Sequence, residues 1–469
     1  MTAPLPDRAA RRRPIGPSHM AGPAGGGHPR RMARILFGTD GVRGVAGEKL
    51  TADLALSLGR AVTHLSPARA PRMLIIRDTR ESGEMLETAL AAGVAAAGGE
   101  AWLGGVMPTP AAALAVQRDG YDLAAVISAS HNPYRDNGIK FFGPDGDKLS
   151  DADEEAIERR LGATSSAHDD IGRVRPAAGM LGDYLDALRA RFGGLDLTGL
   201  RVLLDCANGA TFQAGPAIFR ELGATVSVLA DQPDGRNIND GCGSTHPELL
   251  SERMRAGHHD IGFAFDGDGD RLIAVDRTGQ TLDGDELVAL AALHLRDAGR
   301  LPGNGVAMTV MTNFAFHQAM RDAGIDVTTT KVGDRYVLAG LREEGYALGG
   351  EQSGHIIELG FAPSGDGIAA ALLTLEALGG RDLATSRVFE KLPQELINVP
   401  VRGAAASVAA ARPVQDAVVA VTGRLAASGR VLVRPSGTEP LVRVMAEAPS
   451  SQLAAAACRQ IAEAVRAAA

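Results

Sequence analysis

The sequence predicts three consecutive α/β units followed by a smaller α+β unit. Two observations carry this: one supersecondary pattern occurs three times, and the pattern changes after about residue 400. In the first copy an apolar run at 73–76 is followed by a polar loop at 77–83, a helical stretch at 84–97, a glycine stop and a strand near Trp102. The second copy has a strand at 202–204, a loop at 205–211, a helix to Leu222, Gly223 as its stop and a strand at 225–229. The third has a strand at 308–311, Thr312-Asn313, a helix ending at Gly324 and a strand at 325–329. Strand, loop, helix, glycine and strand again is the βαβ signature. Beyond Pro400 an Ala-rich helical segment at 407–428 leads to strands at 431–433 and 441–446 around a turn at 435–437, then to a helix at 452–468. The expected division is a basic tail at 1–31, α/β units at 32–180, 181–284 and 285–397, and the last unit at 398–469.

A chain of 469 residues, 45% hydrophobic, is long enough to bury several cores. The Ala- and Gly-rich stretch 89–116 is interrupted by Glu100, Pro108 and Pro110, so no membrane span is expected. Cys206, Cys242 and Cys458 form no CxxC pair, which argues against a disulfide framework or a zinc site and fits a reducing cytosol. Residues 1–31 carry six Arg and one Asp, many Pro and Gly and no apolar periodicity, so disorder is expected there. They lack the apolar region of a secretory signal, and Met32, just ahead of Ala-Arg-Ile-Leu-Phe, is the expected natural start. Without them 42 basic residues face 55 acidic ones, a net charge of −13 compared with −8 for the whole chain. Nucleic acid is therefore not an expected partner of the folded body.

Asp266-Gly-Asp-Gly-Asp-Arg271 is the most informative segment. In a straight strand, alternate side chains stand about 7 Å apart, too far to meet on one small ion, and the intervening glycines let the backbone curl. Between apolar runs at 261–265 and 272–275, Asp266, Asp268 and Asp270 then form a loop of hard oxygen donors suited to Mg²⁺. An EF-hand needs Gly at its sixth position and Glu at its twelfth, where Arg271 and Arg277 stand. The competing reading is an acidic surface turn, since Asp-Gly pairs are ordinary turn formers.

Ser128-Ala-Ser-His-Asn-Pro133 follows an apolar strand at 124–127, which holds Ser130 on a loop at a strand end, ahead of Asn137-Gly-Ile-Lys140 and a short strand at 141–142. His131 beside it invites a hydrolase reading, but no G-x-S-x-G elbow is present and adjacent side chains rarely share that geometry. The alternative makes Ser130 a phosphoryl carrier whose ester oxygens meet a metal held by the Asp266 loop, since phosphoryl transfer needs positioning and charge neutralisation above all. Gly350-Glu-Gln-Ser-Gly-His355 offers Glu351 and Ser353 for sugar hydroxyls and His355 for proton transfer, although a lone histidine is more often structural. Arg434-Pro-Ser-Gly-Thr-Glu-Pro440 gathers a guanidinium, the Ser436 and Thr438 hydroxyls and free amides, Gly437 included. Those groups make either a phosphate cradle or an unliganded hairpin turn.

Taken in this order, one motif per unit, the chain resembles the α-D-phosphohexomutase superfamily from Ile35 to its C-terminus. Phe37-Gly-Thr-Asp-Gly-Val-Arg-Gly44, the Ser130 loop, Asn237-Ile-Asn-Asp-Gly-Cys-Gly-Ser-Thr-His246 and Gly349–His355 resemble its amino-sugar branch in particular. The resemblance implies three α/β domains with mixed sheets and a C-terminal TATA-binding-protein-like domain around a central cleft. It implies that Ser130 is the phosphoserine and, with Asp266, Asp268 and Asp270, holds one Mg²⁺. Glu351 and Ser353 would read the sugar, and Arg434, Ser436, Gly437 and Thr438 would clamp the distal phosphate. Arg43, Lys140 and His355 would assist proton transfer or charge stabilisation, with Arg271 near the phosphoserine. Lys331-Val-Gly-Asp-Arg-Tyr336 resembles a substrate loop. The implied reaction interconverts glucosamine 6-phosphate and glucosamine 1-phosphate through glucosamine 1,6-bisphosphate, feeding UDP-N-acetylglucosamine and peptidoglycan synthesis in the cytoplasm of a homodimeric, non-membrane enzyme. A mutase of glucose or mannose phosphates shares this chemistry, and a phosphatase or a non-catalytic sensor are the readings from other classes.

Overall fold

A computed structural model describes residues 36–38, 40–161, 170–436 and 439–469. The expected tail at 1–31, the start at Met32, and Gly437 and Thr438 lie outside the described residues. Four sheets organise the described chain. The first has seven strands in the spatial order Phe37–Gly38, Gly41–Val45, Asp136–Phe142, Leu123–Ile127, Arg72–Arg77, Glu100–Val106 and Arg173–Pro176. The second has five: Thr281–Leu282, Leu272–Asp276, Ile261–Phe265, Arg201–Asp205 and Thr225–Leu229. The third has four: Asp326–Thr330, Gly305–Thr309, Leu348–Gly350 and Ile356–Glu358. The last is a three-stranded antiparallel sheet with Leu441–Glu447 between Gln394–Pro400 and Arg430–Pro435.

The three α/β sheets are mixed in the same way. In each, one strand pairs parallel on one side and antiparallel on the other: Leu123–Ile127, Ile261–Phe265 and Leu348–Gly350. Only an antiparallel neighbour can be reached by a short connection, because a parallel one requires a crossover. The three short connections that result are the Ser130, Asp266 and Glu351 loops, so each unit presents its candidate loop from the same topological position.

Three elements differ from the sequence reading. Lys140 lies within the strand Asp136–Phe142 and not ahead of it. The strand expected at 308–311 is Gly305–Thr309, because Thr309 Oγ1 and its carbonyl accept from the amides of Met311 and Thr312 and turn the chain. The single helix expected at 407–428 is two, Ala405–Ala409 and Arg412–Leu425, followed by a 3₁₀ turn. Pro413 has no N–H to give the Ala409 carbonyl, so it starts a helix rather than continuing one.

Apolar side chains from the first three sheets merge into one cluster that includes Leu74, Phe263 and Met308, whereas Val399, Val444 and Ile461 belong to a separate core in the last unit. The helix Gly367–Leu378 contributes nine apolar side chains to that shared cluster, as its apolar sequence demands. Its N-cap, Asp366, accepts from the Ala369 amide and from Tyr184 Oη at 2.9 and 2.8 Å. Burial is the main cause that raises the Asp366 carboxyl to about 6. A folded-state value above the unfolded one favours folding below pH 4, and that contribution disappears as pH rises through 6. Asp366→Asn keeps a capping oxygen but no longer titrates. Its unfolding free energy relative to the parent is expected to improve by about 2 kcal/mol between pH 4 and pH 7, which urea titrations at the two pH values will measure.

Candidate active site

Ser130 sits in the left-handed region with φ 53°, a conformation that costs a non-glycine residue roughly 1–3 kcal/mol and persists only where surroundings enforce it. The enforcing groups lie on other elements. Arg80 and Asn239 side chains both donate to the Ser130 carbonyl at 2.9 Å. The Ser130 amide donates to Ser128 Oγ, which donates to the buried Asp78, itself paired with Arg80 at 2.8 Å. Sequence reasoning missed Asp78, Arg80 and Asn239; the run Asp78-Thr-Arg80 in a loop at a strand end was the available signal.

Asp266, Asp268 and Asp270 are buried and present carboxylate oxygens within 4.8 Å of one another. Two glycines permit this. A side chain at Gly267 would meet the Ser130 carbonyl at 2.6 Å, and Gly269 has φ 72°. Ser130 Oγ donates to Asp266 Oδ2 at 2.5 Å, bringing the two loops together across 136 residues of chain. The His131 ring nitrogen is 3.4 Å from the same hydroxyl, too long for a general base in place, and burial with Arg271 and Arg43 nearby lowers this histidine to about 4.

The triad fits a hard divalent cation. Asp268 Oδ1 and Asp270 Oδ1 are buried without a hydrogen-bond partner among the described residues. Burial, then Asp270 and Asp268, push the Asp266 carboxyl well above its usual range. Desolvated carboxylates crowded in this way want a positive charge, and with Ser130 they supply four oxygen donors.

Lys140 donates to Asp268 Oδ2 at 2.9 Å, and its Nζ lies 3.8 Å from Asp270 and 3.4 Å from Asp40. Burial opposes its charge, but Asp268, Asp40 and Asp270 outweigh burial and hold the lysine protonated. Thr109 Oγ1 also donates to Asp268 Oδ2, at 2.7 Å, another contact the sequence reading did not include. Arg43 pairs with Asp40, and the Arg271 Nε lies 3.8 Å from Asp270 and 4.0 Å from Asp266. The Nε atoms of both arginines are buried with no hydrogen-bond acceptor, which leaves donors for an anion beside Ser130.

A cavity of about 490 Å³ is lined by Ser130, Asp270, Arg271, Glu351, Ser353 and His355, together with Arg43, Lys148 and the loop 332–334. Glu351 Oε1 accepts from the Gly333 amide at 2.9 Å. His355 Nε2 accepts from the Gly365 amide at 3.0 Å, which places the ring proton on Nδ1, 3.7 Å from Asp270. Arg434 and Ser436 do not line this cavity. Arg434 stands directly across from Arg443 on the neighbouring strand, has no carboxylate partner among the described residues, and is lowered by burial and then by Arg443.

Residues 34–168, 182–279 and 283–396 match the phosphoglucomutase/phosphomannomutase alpha/beta/alpha domains I, II and III, and residues 396–464 match the C-terminal domain of the same enzymes. A phosphoglucomutase/phosphomannomutase family protein from Burkholderia thailandensis has the same fold, with a TM-score of 0.77 and 26% identity over 92% of this chain and 97% of its own. A phosphoglucosamine mutase of Heliobacterium modesticaldum is 48% identical over 89% of this chain and 96% of its own length. That of Cutibacterium acnes is 47% identical over 93% and 99%. Three mixed α/β units and a separate C-terminal unit, with a serine facing a carboxylate triad, define a phosphohexomutase, and the chain belongs to that superfamily. Within it, the chain is a member of the phosphoglucosamine mutases. Among the described residues no helix is long and apolar enough to cross a membrane.

Proposed function

We propose that this enzyme interconverts glucosamine 6-phosphate and glucosamine 1-phosphate with Ser130 as the phosphoryl carrier. The observation that supports this most directly is Ser130 Oγ at 2.5 Å from the metal-type triad, in the same cavity as Glu351 and Ser353. Mg²⁺ held by Asp266, Asp268, Asp270 and the serine ester would neutralise charge on the transferring phosphoryl group. In the forward half-reaction the bond from phosphorus to Ser130 Oγ breaks and one to the oxygen of the sugar's free hydroxyl forms, that hydroxyl's proton ending on the departing Ser130 Oγ, giving glucosamine 1,6-bisphosphate. The intermediate reverses its orientation and returns its other phosphoryl group to Ser130. Arg43 and Arg271 flank the transferring group with unpaired donors. Lys140 serves as a fixed cation, because a lysine held protonated cannot act as a base. His355, with both ring nitrogens facing partners, orients Asp270. The free carboxylate oxygen of Glu351 and the Ser353 hydroxyl accept sugar hydroxyls in either pose.

Arg434 and Ser436, with Gly437 and Thr438, are proposed to clamp the phosphate that is not reacting after the last unit swings toward the cavity. Like charges directly opposite on paired strands repel, and an anion between Arg434 and Arg443 would relieve that repulsion. The separate core of this unit supports its moving as one body. The product would supply UDP-N-acetylglucosamine synthesis.

The test uses phosphorus NMR on the enzyme with Mg²⁺, a catalytic amount of bisphosphate, and the 6-phosphates of glucosamine, glucose and mannose in turn. The 1-phosphate should accumulate with kcat/KM for glucosamine at least about tenfold above the other sugars and without inorganic phosphate. Release of phosphate without isomer would indicate a phosphatase, and faster turnover of glucose or mannose would reassign the substrate.

A further inference from the structure

The ionisable groups around the cavity form a circuit that no single motif contains. Lys140 Nζ lies 3.8 Å from Asp270 and 3.4 Å from Asp40. Asp40 pairs with Lys148, and Lys148 Nζ lies 2.6 Å from Asp334 Oδ2. Asp334 is 3.8 Å from His355 Nε2, and the imidazole closes the circuit on Asp270 at 3.7 Å. Lys148 is where the circuit passes directly from the first unit to the third. It follows the strand Asp136–Phe142, whose Phe142 it bridges, whereas Asp334 begins the helix Asp334–Glu344.

Asp334 controls more than its own position. Its neighbour Gly333 has φ 123°, a backbone shape open to glycine, and donates its amide to Glu351. A shift of Asp334 therefore moves the group that orients Glu351. The Lys148 side chain is 15% exposed and that of Asp334 20%, so their attraction is weakly screened compared with a surface pair. Burial opposes charge on Lys148, but Asp334 and Asp40 outweigh burial and keep it an ammonium.

We infer that Lys148 is a positioning residue of the mutase reaction: by tying Asp40 of the first unit to Asp334 of the third, it holds the loop 332–334 and Glu351 at the reach from Ser130 that a bound sugar phosphate needs. This rests on the function proposed above. As a group proposed to hold the ring and not the reacting phosphoryl, Glu351 should weaken binding when displaced and leave the chemical step alone.

The test is steady-state kinetics with glucosamine 6-phosphate on Lys148→Met, Lys148→Arg, Asp334→Asn, the Lys148→Met/Asp334→Asn pair and Arg342→Met. Lys148→Met should raise KM about tenfold or more with kcat within about threefold of the parent. Asp334→Asn should do the same, the double variant should be no worse than either single one, and Lys148→Arg should recover most of the loss. Arg342 pairs with Asp147 on the exposed outer part of the same seam, and its variant should stay within about twofold of the parent. An unchanged KM in Lys148→Met, a fall in kcat alone, additive effects with Asp334→Asn, or an equal effect from Arg342→Met would each overturn the inference. Should Lys148→Met fail to fold, Asp334→Asn and Lys148→Arg decide on the same readings. A parent enzyme inactive on every sugar phosphate would instead sink the proposed function and is visible before any variant is made.

Discussion

Ser130→Ala is expected to lower mutase turnover by at least about 10³-fold, equivalent to about 4 kcal/mol of barrier. The expectation follows from what the hydroxyl is placed to do. It points at the carboxylate triad from a strained backbone position, and the side chains of Arg80, Asn239 and Ser128 hold that position. The nearest other hydroxyl does not replace it, because Ser128 Oγ is committed to Asp78 at 2.5 Å. Intact-mass measurement should show one phosphate on the parent after exposure to bisphosphate and none on the variant. The fold should survive, because the backbone contacts that fix the loop are to the carbonyl and amide. Turnover by the alanine variant within tenfold of the parent would reject the carrier role.

Chelation of divalent cations should produce the second-largest effect, a loss of at least about 100-fold that returns on adding Mg²⁺. Without a cation, three buried carboxylates lie within 4.8 Å of one another, and burial together with Asp270 and Asp268 pushes the Asp266 carboxyl upward. The Ser130 hydroxyl donates to Asp266 as it does in the structure, and an incoming phosphoryl group meets only the fixed side-chain cations, Arg43 and Arg271 nearest among them, with no divalent ion on its oxygens. Asp268→Asn should weaken Mg²⁺ activation in titrations of rate against metal concentration. It also removes the partner of Lys140 and Thr109, so its melting temperature should be read alongside. An enzyme that keeps full activity in excess chelator would show that the triad serves structure alone.

The loops proposed to carry the chemistry are legible because their residue types are costly to place anywhere else. Alternating Asp and Gly between apolar strands, and a serine in a loop after an apolar strand, announce themselves locally. The βαβ repeats were legible for the same reason: strand, helix and glycine stop are short-range signals. Asn137-Gly138 lies inside the strand Asp136–Phe142, registered against Gly44 and Arg43, so Lys140 belongs to that strand although the local sequence does not mark it. The helix break before Arg412 was hidden by the alanines around it, although Pro413 marks it.

By itself the sequence determined the inventory: three α/β repeats, a fourth unit of another kind, a carboxylate triad, a serine, a Glu-x-Ser pair and an arginine turn. Only the tertiary structure decided which of these meet. Ser130 reaches Asp266 over 136 positions, Lys148 reaches Asp334 between units, and Arg434 stays off the cavity wall. The physical reason is that residue chemistry and short-range periodicity are written in neighbouring positions, whereas a contact between loops depends on how whole sheets pack, and that is settled by the shared apolar core rather than by any motif.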